Sequence, residues 1–74
     1  MKRQFLIQQV LSIMEITPYR LEKITYLGRS SISRWVRGAA AMDNGSLYQL
    51  YYYLQHNEKI STMLKDEIRR IEKC

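Results

Sequence analysis

The chain has 74 residues, of which 46% are apolar and 26% are charged, and its formal net charge is +5 at pH 7. A chain of this length supports one domain with one hydrophobic core, and its composition excludes an intrinsically disordered protein. Its three glycines and one proline are too few for the turns of a multi-stranded β fold, so we predict a single all-α domain over residues 1–74.

The first predicted helix spans residues 2–15. Its apolar residues recur at the i, i+3, i+4 and i+7 spacing of an amphipathic helix, and they include Ile7, Val10, Leu11 and Met14. Further apolar residues widen this face, namely Phe5, Leu6 and Ile13. We therefore expect the rest of the domain to cover this helix on two sides.

The second predicted helix begins at Thr17 and Pro18 and ends near residue 25. Threonine can cap the free N–H groups of a first turn, and proline loses no hydrogen bond there. A third helix follows over residues 29–37 and ends at Gly38, because glycine readily adopts the positive φ of a helix C-terminus. The apolar residues that we expect to face the core from this helix are Ile32, Trp35 and Val36.

The second half of the chain predicts two more helices. An Asp-Asn-Gly sequence at residues 43–45 predicts a turn, after which we expect Ser46 to cap a fourth helix that runs to about residue 56. A C-terminal helix over about residues 58–72, capped by Asn57, has a narrow apolar stripe. This stripe consists of Ile60, Leu64, Ile68 and Ile71.

Positive charge is concentrated in residues 17–38. Five of the twelve basic residues lie there, together with one acidic residue, Glu22. A polyanion would bind where basic residues cluster in this way. The third helix itself contains no acidic residue, which favours its outer face as a DNA-binding surface over an ordinary solvated one.

Residues 17–38 read TPYRLEKITYLGRSSISRWVRG. They resemble the helix-turn-helix of the lambda-repressor-like, Cro-like family, the regulators of the xenobiotic-response-element type. The resemblance is clearest in residues 30–35 followed by Gly38. It extends to the apolar positions of that family's fourth helix, which are Leu47, Leu50, Tyr51 and Leu54 here. The resemblance implies a compact five-helix DNA-binding domain with the helix-turn-helix at the second and third helices.

The resemblance also implies which residues bind double-stranded DNA. The positions that face base edges in the family are Arg29, Ser30 and Arg34, with Ser31 and Ser33 nearby. Arginine suits this role because its planar fork can bind guanine O6 and N7 together. The positions that contact phosphate in the family are Thr17, Arg20 and Arg37, and such contacts fix register without reading sequence.

Three features depart from the family pattern. The turn position that favours glycine is Tyr26, so either Tyr26 holds a positive φ at a cost of about 1 kcal/mol or the turn shifts so that Gly28 carries it. Pro18 replaces a glutamine that helps to hold the recognition helix. The loop at residues 39–43 is alanine-rich and acidic, which weakens the expectation of phosphate contacts from it.

A homodimer on a palindromic operator is expected, because helix-turn-helix proteins bind paired half-sites. Tyr48, Tyr52 and Gln55 share one face of the fourth helix, and tyrosine is enriched at protein interfaces. The alternative is isolated surface tyrosines. The predicted interface also includes Leu64 and Ile68, although the C-terminal helix can equally pack within the monomer.

The sequence therefore predicts a sequence-specific transcription regulator, a repressor of the phage or mobile-element type. One alternative is an antitoxin whose tyrosine face on the fourth helix covers a toxin. Another is a phage anti-defence protein that uses the same fold to bind a protein partner, and the acidic, alanine-rich loop favours it. His56 and Cys74 are the single histidine and the single cysteine, so we predict no metal site, no cofactor and no enzyme. No apolar run of about 18 residues and no signal peptide is apparent, and we expect a cytoplasmic protein with no membrane contact.

Overall fold

The protein, described by a computed structural model over residues 3–73, is entirely helical in its regular elements within that range. A 3-10 turn at Arg3–Phe5 is followed by five α-helices. These are α1 (Leu6–Met14), α2 (Pro18–Thr25), α3 (Arg29–Val36), α4 (Asn44–Leu54) and α5 (Glu58–Lys73). The prediction of five helices is confirmed, while Lys2, the predicted start of the first helix, and Cys74 lie outside the described range. No helix within residues 3–73 is both long and apolar enough to cross a membrane.

The predicted cap of α2 is present. The Thr17 hydroxyl accepts a hydrogen bond from the backbone N–H of Arg20 at 3.2 Å, and Pro18 occupies the first turn. The turn after α2 takes the first of the two predicted alternatives, because Tyr26 has a φ of 59° whereas Gly28 has a φ of −64°. Tyr26 therefore carries the left-handed conformation that a glycine would adopt without strain.

The end of α3 is fixed by Gly38. With a φ of 73°, Gly38 donates its N–H to the Trp35 carbonyl at 3.1 Å, and Ala39 donates to the Arg34 carbonyl at 2.9 Å. This pair of bonds is the Schellman arrangement, which satisfies carbonyl groups that a helix end would leave free. The predicted role of Gly38 is confirmed.

The start of α4 differs from the prediction. The cap is Asp43, the first residue of the predicted turn and three residues before Ser46, and Ser46 lies inside the first helical turn. Asp43 accepts hydrogen bonds from the Ser46 N–H at 3.2 Å and from the Ser46 hydroxyl at 2.6 Å. Aspartate is among the strongest N-caps, so the helix begins as soon as Asp43 is available and the prediction of Ser46 as the cap is wrong.

The core draws on all five helices and on two connecting segments. The buried apolar residues are Leu6, Ile7, Val10, Leu21, Leu27, Ile32, Trp35, Met42, Leu47, Leu50, Leu54, Ile60 and Leu64. Trp35 is buried, as predicted, but Phe5 and Ile13 remain more than one third exposed. Leu27 and Met42 were not predicted as core residues, because neither belongs to a helical stripe. The helix α5 packs within the same chain, mainly on α4 and also on α1.

Two glutamine side chains fix α2 and α3 to the rest of the domain. Gln49 of α4 donates to the carbonyl of Thr25 at 2.7 Å, at the end of α2. Gln8 of α1 donates to the carbonyl of Val36 at 2.6 Å, at the end of α3. Because the last carbonyls of a helix lack partners within it, these bonds satisfy two helix ends and tie both short helices to their neighbours.

Candidate nucleic-acid interface

The outer face of α3 consists of polar and basic side chains. Arg29, Ser30, Ser33, Arg34 and Arg37 are all exposed, while Ser31 is half-buried. At 3.6 residues per turn, the five exposed residues cover an arc of roughly 140°. Ile32 and Trp35 point into the core from the opposite side, so burial of one face of α3 determines that the basic face points to solvent.

The donors of this face are available for a ligand. Within residues 3–73, the hydroxyls of Ser30, Ser31 and Ser33 have no hydrogen-bond partner, and the guanidinium of Arg34 has none either. The cap position of α3 is Gly28, which has no side chain to offer, so none of the three serines is used as the helix cap. The hydroxyls of the exposed Ser30 and Ser33 are therefore left for intermolecular contacts.

Arg29 and Arg37 each make one weak contact within the protein. The Arg29 Nε lies 3.3 Å from the Glu22 carboxylate, although 75% of the Arg29 side chain is exposed. The Arg37 Nε donates to the carbonyl of Ser33 at 3.3 Å. An exposed ion pair contributes only about 0–1 kcal/mol. Neither contact is strong enough to withhold these guanidinium groups from a polyanion.

A groove joins the basic face of α3 to the first turn of α2. It has a volume of about 280 Å³, and Ile32 and Val36 contribute to its apolar surface. The remaining lining residues are Pro18, Tyr19, Glu22, Arg29, Ser33 and Arg37. The start of α2 and the basic side of α3 therefore belong to one surface. Ser30 and Arg34 do not line the groove and lie farther around α3.

The residues predicted to contact phosphate flank this surface. Thr17 and Arg20 are exposed at the start of α2, and Arg37 is exposed at the end of α3. The Thr17 hydroxyl accepts the capping bond from Arg20, so its own proton remains free to be donated. A helix N-terminus also presents free backbone N–H groups and a partial positive charge to an anion.

A second exposed surface consists of tyrosines, and we call it the tyrosine surface. It comprises the exposed Tyr26, Tyr48 and Tyr52 together with the half-buried Tyr53. The ring centroids of Tyr52 and Tyr53 are 5.0 Å apart in an edge-on arrangement, and those of Tyr53 and Tyr26 are 5.4 Å apart. Tyr26 is 73% exposed and Tyr52 66% exposed. Tyr26 and Tyr53 were not predicted from the sequence as members of this surface, because they meet only when α4 packs beside the end of α2.

The predicted dimer interface changes in one respect. Tyr48, Tyr52 and Gln55 are exposed, as an interface requires. Leu64 is fully buried inside the chain and Ile68 is half-buried against the same core. Leu64 therefore has no surface to offer a partner, and its assignment to the interface is corrected: the apolar stripe of α5 is used within the monomer. The outer side of α5 is highly charged.

The described residues offer no grouping of three or more His, Cys, Asp or Glu side chains that could hold a metal ion. No protein-family model matches the chain, and neither a curated protein nor a solved structure matches it.

Proposed function

We propose that the protein is a sequence-specific DNA-binding regulator of the repressor type. In this proposal α2, residues 26–28 and α3 form a helix-turn-helix of the lambda-repressor-like kind, and α3 enters the major groove of double-stranded DNA. The observation that carries the proposal is the outer face of α3. It exposes guanidinium and hydroxyl groups on a short helix whose opposite side packs on the core.

The charges and dimensions of this face fit DNA. The major groove is about 12 Å wide and admits one α-helix, whose first residues reach the base edges. Arg29 and Ser30 lie in the first turn of α3. Arg34 lies one turn further along the helix, on the same face as Ser30. Arginine can bind guanine through two hydrogen bonds, and a serine hydroxyl can donate to or accept from any base edge.

The groove between α2 and α3 adds an apolar element to the same surface. Val36, which is partly exposed, lines it beside Arg29 and Ser33, whereas Ile32 is almost fully buried. The C5-methyl group of thymine is the apolar feature of the major groove, and side-chain carbon atoms read it by contact. The surface therefore combines donors for guanine with an apolar site that suits thymine.

A second copy of the chain is the partner that the tyrosine surface supports. Residues 44–57 contain no Asp, Glu, Lys or Arg, although the chain carries a net charge of +5. Two such chains repel one another unless they meet at an uncharged surface. Interface cores are depleted of charged residues and enriched in tyrosine, so the exposed side of α4 suits self-association on a palindromic operator.

The acidic loop gives less support to a protein-binding function than its sequence indicates. Asp43 is the acidic residue of that loop, and its carboxylate caps α4 through Ser46. Its negative charge therefore has a role in the fold. The antitoxin or anti-defence alternative then depends on the tyrosine surface alone, which would have to bind a foreign protein instead of a second copy.

Selection from a pool of randomised DNA duplexes tests the proposal. We expect the full chain to enrich a short palindromic motif, with affinity that falls steeply as salt is added. If Arg20 and Arg37 each neutralise one phosphate on both half-sites, the slope of log affinity against log salt is about −3.6. A pool that shows no enriched motif after selection, together with a flat salt dependence, would overturn the proposal.

A further inference from the structure

Glu22 is the one acidic residue in residues 17–38, and it lies on the surface that would face DNA. Its carboxylate is 3.3 Å from the Arg29 Nε, and the Glu22 side chain is 24% exposed. Together with Arg29 it lines the groove between α2 and α3. A carboxylate at this place repels the phosphates of an approaching duplex, so its presence on this surface needs a reason.

The geometry of the pair indicates what that reason is. A guanidinium has five N–H donors in one plane, and the carboxylate meets only the one on Nε. Neither Nη atom of Arg29 has a partner among the described residues. A hydrogen bond at Nε favours one orientation of the guanidinium plane and leaves the outer edge, formed by the two Nη atoms, for an external acceptor pair such as guanine O6 and N7.

We propose that Glu22 is a positioning residue that orients Arg29 for a guanine in the bound duplex. The inference rests on the proposed function and adds to it a residue that increases the preference for the correct base. Orienting a flexible arginine before binding reduces the side-chain entropy that is lost when the complex forms. The repulsion between Glu22 and phosphate lowers affinity for all DNA equally, so the net effect of the pair is to favour the correct base over others.

Arg34 provides an internal comparison. It lies on the same helix face, and within residues 3–73 no side chain or carbonyl holds it. Removal of Glu22 should therefore affect the base pair that Arg29 reads and leave the base pair that Arg34 reads unchanged. A role of Glu22 in general stability of α2 and α3 would affect both base pairs together.

The test measures base preference in variants of the full chain. The base pair read by Arg29 is the one whose preference is lost in Arg29→Ala, and the pair read by Arg34 is found in the same way. Affinities are then measured for duplexes that carry each of the four base pairs at these two positions. The variants are Glu22→Ala, Glu22→Gln and, as a charge-matched control on α5, Glu72→Gln.

We expect Glu22→Ala to reduce the guanine preference at the Arg29 base pair about fivefold or more, which is the lower limit of discrimination by one bidentate pair. The preference at the Arg34 base pair should stay constant. Glu22→Gln should keep the guanine preference, because its amide oxygen still accepts from Nε. Both variants should bind random duplex more tightly than Glu72→Gln does.

A double variant separates positioning from direct contact. If Glu22 acts through Arg29, then Glu22→Ala combined with Arg29→Ala loses no more preference than Arg29→Ala alone. Additive losses would mean that Glu22 reads a base itself and would overturn the inference. An unchanged preference in Glu22→Ala would also overturn it, leaving an incidental surface ion pair. If the unmodified chain prefers no base at any position, the proposed function fails as well.

Discussion

The ring of Tyr26 lies 5.4 Å from the ring of Tyr53, at an interplanar angle of 59°, while the backbone of Tyr26 holds a φ of 59°. A non-glycine residue in this left-handed conformation costs roughly 1–2 kcal/mol, whereas an aromatic pair contributes about 0.5–1.5 kcal/mol beyond its buried area. The two effects are of similar size. The contact with Tyr53 thus offsets much of the strain that a tyrosine introduces at this turn.

This balance predicts different outcomes for two substitutions at Tyr26. Tyr26→Ala loses the ring contact and keeps the strained backbone, so we expect a loss of about 1 kcal/mol in the free energy of unfolding. Tyr26→Gly loses the same contact but relieves the strain, so its stability should be close to that of the unmodified chain. Urea denaturation measures both values. Equal destabilisation by the two variants would show that the left-handed conformation carries no strain.

The cap of α4 predicts a stability difference that depends on pH. Hydrogen bonds from the hydroxyl and then the backbone N–H of Ser46 lower the pKa of Asp43 below its ordinary value of 3.8. We expect Asp43→Ala to cost about 1 kcal/mol at neutral pH and to lower the Tm by roughly 4–8 °C. Because the folded pKa is the lower one, this stabilisation is complete above the unfolded pKa and is lost as pH falls through the folded pKa.

Asp43→Asn is the matched control for the cap, since asparagine caps helices about as well as aspartate but does not titrate. Thermal unfolding of the three proteins between pH 7 and pH 2 provides the comparison. The stability of the unmodified chain relative to that of Asp43→Asn should fall below pH 4. A constant difference between these two proteins over the whole range would contradict the assignment of Asp43 as the ionised cap.

The spacing of the apolar residues and the residues that start and end helices were enough to predict most of the fold. Thr17, Pro18 and Gly38 act locally, within one helical turn, and the structure has each of them in its predicted role. Ser46 was predicted as a cap because it follows a turn sequence, but Asp43 is available three residues earlier and starts the helix first. Local competition of this kind depends on backbone geometry that the sequence alone does not specify.

Contacts between distant residues account for what sequence reasoning missed. In contrast, the exposure of the predicted base-contacting arginines could be predicted within α3, because Ile32 and Trp35 are buried on the other side of this helix. The link between Glu22 and Arg29 crosses the turn between two helices, and the Tyr26 ring meets Tyr53 from a different helix. Both pairs arise from how helices pack together, which no single-helix pattern contains. Leu64 illustrates the same limit, because its periodicity fits a monomer core and a dimer interface equally well.

The tyrosine surface predicts self-association that depends on Tyr52. Central interface tyrosines often cost about 2 kcal/mol on truncation, which corresponds to a roughly 30-fold increase in the dimer Kd. Tyr52→Ala should therefore shift the chain toward the monomer in sedimentation velocity. Tyr19→Ala, which removes a ring of similar exposure from α2, should leave self-association unchanged. An unmodified chain that sediments as a monomer at all concentrations would count against this surface as a dimer interface.

Binding of Arg34→Ala and Arg37→Ala to two duplexes tests the central claim most directly, namely that the outer face of α3 reads bases. One duplex carries the selected motif and the other a random sequence of equal length. Arg34→Ala should weaken binding to the motif by about 5- to 150-fold, the equivalent of 1–3 kcal/mol, and weaken binding to the random duplex far less. Arg37→Ala should weaken both by similar factors, as a phosphate contact does. Equal losses on the two duplexes for Arg34→Ala would contradict the claim that α3 reads sequence.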